Sequence, residues 1–137
     1  MSDFNFFGLV RDLGLAVSDS ASAAPEVPGV YMLFDNDGRF VYVGKADNLK
    51  TRLSSHFSLT ETNLLIRVFA RLYVWEVTAS VDVAEVEEGR LYDIWVDSAG
   101  YPPLANKVAP PKSKYSNVEK NTERLQALLR MLNIPGR

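Results

Sequence analysis

With 137 residues, 47% of them hydrophobic and 23% charged, the chain is long enough for one domain with its own core. Its composition is too ordinary for a disordered, collagenous or coiled-coil protein. The lack of cysteine and the single histidine, His56, exclude a disulfide framework, a thiolate zinc site, a cysteine nucleophile and a multi-histidine metal cage within one chain.

In chain order, Asp3 to Val17 places apolar residues at a helical rhythm broken by Gly8 and Gly14, and predicts a short helix. Ser18 to Pro28 is small, polar and proline-containing, which predicts a linker. Gly29 to Phe34 and Arg39 to Val43 are β-rich runs around Asp35-Asn36-Asp37-Gly38, the pattern of a β-hairpin. Asn48 to Phe57 predicts a helix capped by Asn48, with Leu49, Leu53 and Phe57 at four-residue steps. A second helix is expected over Thr62 to Phe69. A third strand is expected over Arg71 to Ala79.

Asp82 is the expected cap of a helix reaching about Val96, with Glu85 as its capping-box partner. Ser116 to Asn133 predicts a last helix with a leucine stripe, behind Ala109-Pro110-Pro111-Lys112. Helices and strands do not alternate as βαβ. The expected class is therefore α+β: a small three-stranded antiparallel sheet flanked by helices. One domain is expected, made of an N-terminal helix and linker (1–27), a central unit (28–109) and a basic helical extension (110–137).

The net charge of −2 does not by itself suggest a nucleic-acid partner. Its distribution is uneven. Residues 39–71 carry six bases against two acids, and residues 107–137 carry seven against two. The most apolar stretch, Leu64 to Trp75, is interrupted by Arg67 and Arg71 and is too short to span a bilayer. No basic region precedes an apolar one at the start, so a soluble cytoplasmic protein is expected.

Chemistry concentrates around the hairpin. Tyr31 lies in Pro28-Gly29-Val30-Tyr31 and Tyr42 in Val41-Tyr42-Val43-Gly44-Lys45. Gly44 marks a strand end or a close approach. Asn48, Arg52 and His56 follow at steps of four on one helix face, with Lys45 near its start. A guanidinium, an imidazole and an ammonium there are all phosphate-binding groups. Taken singly, each has a plainer explanation: tyrosines pack strands, Arg and Lys are solvated, and Trp75 and Trp95 belong to the core.

Together, Gly29-Val30-Tyr31 and Tyr42-Val43-Gly44-Lys45-Ala46-Asp47-Asn48-Leu49-Lys50-Thr51-Arg52-Leu53 resemble the GIY-YIG nuclease superfamily. The wording is most similar to the nuclease domain of bacterial excision nucleases, over roughly Pro28 to Asn106. The resemblance implies a metal-dependent DNA endonuclease, of a repair, phage or mobile-element kind. It implies Tyr31 or Tyr42 as base, Arg52 on the phosphate, Lys45 beside it, and His56 on the phosphate or leaving group.

It also implies a metal-holding glutamate on the helix after the third strand. Glu88 fits, sharing a stripe with Ala84, Leu91 and Trp95; Glu87 is the alternative, and Glu85 looks more exposed. One carboxylate implies one Mg²⁺ or Mn²⁺. Asn106, after Pro103, fits the family's asparagine. Asn48, Lys50, Lys112 and Lys114 are the expected nucleic-acid contacts. A lone catalytic domain is expected, without a second nuclease domain or helix-hairpin-helix modules, and possible as a homodimer through the terminal helix. The rival expectation is a DNA- or protein-binding module that keeps the fold without cutting.

Overall fold

The computed structural model describes residues 16–116, 126–128 and 130–132. Its elements are β1 (Ala16–Val17), a 3-10 helix (Ser18–Ala23), β2 (Gly29–Phe34), β3 (Phe40–Ala46), α1 (Leu49–His56), α2 (Leu64–Phe69), β4 (Leu72–Val77) and α3 (Val81–Ala99). The sheet is antiparallel throughout, in the order β1-β4-β2-β3. The three expected strands are β2, β3 and β4, and β1 adds a two-residue edge through Ala16 opposite Tyr73.

β2 is central and fully buried, so its side chains feed two cores. Val30, Met32 and Phe34 pack with α3 through Leu91, Tyr92 and Val96. Tyr31 and Leu33 pack with Leu49, Leu53 and Ile66 of α1 and α2. Leu49 and Leu53 are wholly buried, a gain of about 1.5–3 kcal/mol each. They are the residues whose four-step spacing predicted α1.

The hairpin turns on Asp35, whose Oδ1 accepts from the backbone N–H of Asp37 (2.9 Å) and Arg39 (2.8 Å). Gly38 supplies the left-handed φ of 82°. Asn48 and Asn63 cap α1 and α2.

Several expectations are corrected. The expected first helix lies outside the described residues except at Ala16–Val17, which are strand because β4 offers them a free edge. The expected linker holds a 3-10 helix, since small Ala21 and Ala24 can bury against the α1 side of the sheet. β3 runs through Gly44 to Ala46 rather than ending before it, because β2 offers ladder partners as far as Gly29. α3 starts two residues earlier: Ser80, not Asp82, is the cap, its Oγ accepting from Val83 N–H at 3.2 Å. It also runs on to Ala99, where Gly100 ends it in the left-handed region at φ 89°.

Residues 102–116 return over the molecule. Ala105 N–H donates to Val41 O (2.7 Å) at the outer edge of β3. Further on, Ser113 Oγ donates to Asp93 of α3 at 2.5 Å. The crossing is close: a Cβ on Gly89 would lie 2.6 Å from the Lys112 carbonyl carbon. Of the expected terminal helix, residues 126–128, 130 and 131 are helical, and the rest lies outside the described residues. Among the described residues, no helix is long and apolar enough to cross a membrane.

Candidate active site

Tyr31 is set opposite Gly44 by the β2–β3 register. The phenol needs that glycine: a Cβ at position 44 would stand 2.4 Å from the Tyr31 hydroxyl oxygen. The close approach, not a strand end, is what Gly44 provides. Tyr31, Tyr42 and His56 then form a ring cluster. Centroids are 6.2 Å apart for the two tyrosines, 5.3 Å for Tyr31 and His56, and 5.5 Å for Tyr42 and His56. His56 reaches it because it ends α1, one turn beyond Arg52.

His56 is 8% exposed and bridges two partners. Its Nε2 lies 2.6 Å from the Tyr31 hydroxyl and its Nδ1 lies 2.5 Å from Glu61 Oε1. Burial pushes the imidazole pKa down, Glu61 pulls it up, Arg52 adds to the lowering, and the net shift is down. Glu61 feels burial first, which raises it. Hydrogen bonds from His56 and from the backbone of Asn63 and Thr62 outweigh that and leave it lowered. Glu61 is thus an anion held against a neutral imidazole.

Burial raises both phenols, Tyr31 well above its ordinary value. Tyr42 pushes Tyr31 up further, and Glu88 does the same to Tyr42. Arg52 lowers both, so its charge reaches the whole cluster although its residue is exposed.

Glu88 is 7% exposed and its Oε1 is buried without a hydrogen-bond partner. Such an oxygen is costly when ionised unless a cation meets it. Burial accordingly lifts its pKa from 4.5 to about 7, against the opposing pull of Lys45 and Arg52. Glu87 faces elsewhere, paired with Arg90 and hydrogen-bonded to Glu76. Glu85 is more exposed than Glu88, as expected, and forms an ion pair with Lys45.

A divalent ion fits this donor set. The orphaned oxygen of Glu88 is a hard ligand, and the rest of the coordination shell is left to water and substrate, as Mg²⁺ favours. Among the described residues, no three His, Cys, Asp or Glu side chains gather as a metal cage, so a closed all-protein site is not what these residues offer.

Asn106 binds the edge strand: its Oδ1 accepts from Val43 N–H (2.9 Å) and its Nδ2 donates to Val43 O (3.1 Å). It positions β3 and with it Tyr42 and Gly44. Asn48 uses its side-chain oxygen on Thr51 N–H at 3.1 Å, as an N-cap. Lys50 is half-buried on α1, and Lys112 is exposed. Lys114 lies 2.5 Å from Asp97 and above the Tyr115 ring, so it is engaged on the far part of α3. Trp75 and Trp95 pack against the two cores, as expected.

Sequence reasoning missed Glu61. Its acid stands in a loop with no motif, and only its place five residues after His56 hinted at the pairing.

The UvrC-like GIY-YIG domain family matches residues 27–88. UvrABC system protein C of Flavobacterium johnsoniae is 33% identical over 97 residues, which is 63% of this chain and 16% of the relative. Its counterpart in Saccharophagus degradans is 45% identical over 76 residues, 50% of this chain and 12% of the relative. The chain therefore spans about one sixth or less of these curated relatives. Among solved structures, the GIY-YIG N-terminal endonuclease domain of UvrC from Thermotoga maritima, bound to its catalytic divalent cation magnesium, superposes with a TM-score of 0.51 at 28% identity. The match covers 64% of this chain and 92% of that one. The fold, a three-stranded antiparallel sheet with flanking helices, is shared.

Proposed function

We propose that this chain, whose residues 27–88 match the UvrC-like GIY-YIG domain model, is a divalent-cation-dependent DNA endonuclease that hydrolyses phosphodiester bonds with tyrosine assistance. One observation carries the reading. Two phenols, an imidazole and the charge of Arg52 meet near one buried carboxylate oxygen that no protein group satisfies. A purely structural cluster has no use for an orphaned carboxylate; a phosphodiesterase does.

Hydrolysis requires an attacking water, an acceptor for its proton, stabilisation of charge on phosphorus and help for the leaving oxygen. Tyr31 and Tyr42, which both feel the charge of Arg52, are the candidate acceptors. Both start as neutral phenols, since burial raises them, and Arg52 works against that rise. Exposed at the cluster, Arg52 offers two parallel hydrogen bonds to a phosphate and stabilises its extra negative charge.

Lys45 balances Glu85 and lowers the cost of ionising Glu88. Glu88 would hold the cation, and a bound Mg²⁺ or Mn²⁺ would supply charge neutralisation at the leaving oxygen. Asn106 keeps β3 in register. Lys50, Lys112, Asn48 and Lys114 are assigned to the duplex backbone, Lys114 by exchanging Asp97 for phosphate. Such contacts position a duplex without reading its sequence.

The test is incubation of supercoiled and branched DNA with Mg²⁺ or Mn²⁺, beside Arg52→Ala and Glu88→Ala. Cleavage by the parent that both variants lose by about 10²-fold or more is expected. A parent that binds DNA without cutting it, or equal cutting by all three proteins, would overturn the proposal.

A further inference from the structure

Tyr31 poses a problem for any mechanism in which it takes a proton. It is 1% exposed and its phenol is held protonated. A neutral phenol accepts a proton only if it can pass its own onward. The outlet is adjacent: the Tyr31 hydroxyl sits 2.6 Å from His56 Nε2, and His56 Nδ1 sits 2.5 Å from Glu61 Oε1.

An anionic carboxylate at Nδ1 requires the proton there. Nε2 is then a bare lone pair, so the hydrogen bond to Tyr31 runs from phenol to imidazole. Glu61 is itself fixed, its Oε2 accepting from Asn63 N–H at 3.3 Å. Asn63 in turn donates to Ala105 O at 3.2 Å.

We propose that Glu61 is a positioning residue that holds His56 in its Nδ1-protonated tautomer, so that Tyr31 and His56 form a water-to-imidazole proton relay for the hydrolysis. The inference rests on the nuclease reading and deepens it. As the water oxygen bonds to phosphorus and the P–O bond to the leaving group breaks, one water proton passes to Tyr31 Oη. The phenol's own proton passes to His56 Nε2. The leaving oxygen takes a proton from solvent, and the imidazolium later returns its proton there. No free phenolate is needed at any point. The imidazolium forms beside a carboxylate already in place, which is the role a third group plays in nucleophile–base–orienter arrays.

The charged and titratable groups around His56 are Tyr31 from β2, Tyr42 from β3, Arg52 on its own helix and Glu61 from the following loop. A cavity of about 450 Å³ that His56 lines is also lined by Asp19, Arg67 and Arg71. Of these, Glu61 alone is within hydrogen-bond reach of Nδ1. The relay needs neutral His56, so activity rises with pH through the His56 pKa. Glu61 raises that pKa. Removing its charge moves the acidic limb to lower pH and makes the imidazole a weaker acceptor.

Two measurements test this on the full chain. His56 is the only histidine, so long-range ¹⁵N NMR of the ring reads its tautomer without overlap. A proton on Nδ1 at pH 8 is expected; a proton on Nε2 would overturn the proposal. The pH profile of supercoiled-DNA cleavage is then compared for the parent and Glu61→Gln, which keeps an oxygen acceptor. A roughly 10–100-fold lower kcat, an unchanged KM and an acidic limb at lower pH are expected, and added imidazole should restore activity to His56→Ala. A loss with the limb unmoved would mark Glu61 as merely structural and defeat the relay, as would His56→Ala insensitive to imidazole. An inactive parent would defeat the nuclease reading and the proton path with it, while the tautomer still decides Glu61's hold on His56.

Discussion

Replacing Glu88 by Gln should stabilise the protein at alkaline pH while it removes cation binding. The carboxyl goes from 4.5 to about 7 on folding. A raised acid pKa means the native state binds more protons than the unfolded chain between those values. Stability therefore falls as pH rises through that window. The penalty is absent below about 4.5 and complete above about 7. At about 1.36 kcal/mol per unit, a shift from 4.5 to about 7 sets a ceiling of about 3 kcal/mol. Water at the mouth of the site screens this to nearer 1–2 kcal/mol.

Urea denaturation with EDTA, from pH 4.5 to 8.5, should show parent and Glu88→Gln converging at the acidic end. At pH 8 the variant should be the more stable by that margin. Added Mg²⁺ should raise the stability of the parent at pH 8 and leave the variant unmoved, since a ligand stabilises only the state that binds it. Parallel pH profiles, or an equal Mg²⁺ response in both proteins, would refute the assignment of a buried, uncompensated carboxylate.

Gly44→Ala puts a methyl group 2.4 Å from the Tyr31 hydroxyl. A loss of about 1–3 kcal/mol is expected by thermal melting, together with a drop in cleavage rate as the phenol is displaced. Asn106→Ala strips both hydrogen bonds from Val43 at the sheet edge. It should cost about 1–3 kcal/mol and speed amide hydrogen exchange at Val43. Tyr31→Phe leaves the buried Nε2 of His56 without its phenol. Cleavage should fall by about 10²-fold or more, and a ring titration followed by NMR should report a changed His56 pKa.

What the sequence disclosed was what a local pattern can carry. Tyr31, Tyr42, Lys45 and Arg52 lie within 22 positions of one another in a fixed hairpin-and-helix spacing, and short-range geometry follows from such spacing. The caps at Asn48 and the leucine steps of α1 are legible for the same reason. Ser80 was passed over for Asp82 because either residue type can cap, and only the chain's exit from β4 through Thr78 decides. β1 is unreadable because two residues have no period, and their pairing depends on a free edge 55 to 57 positions away, at Leu72 and Tyr73. The Lys45–Glu85 and His56–Glu61 pairs depend on where α3 and the loop before α2 come to rest. Loop and helix acids look alike in a string of letters.

Among the described residues the outer edge of β3 carries no neighbouring strand, and a side chain 63 positions downstream occupies its Val43 amide and carbonyl. The clasp denies that rim to strand addition by another copy. It also sets a timetable during synthesis: a nascent chain that has emerged through α1 already owns both hydroxyphenyl groups and the guanidinium. It lacks the buried acid of α3 and the pin on its rim until residue 106 has cleared the ribosome. On the nuclease reading proposed above, the cutting site is therefore complete only once the chain through Asn106 has been made.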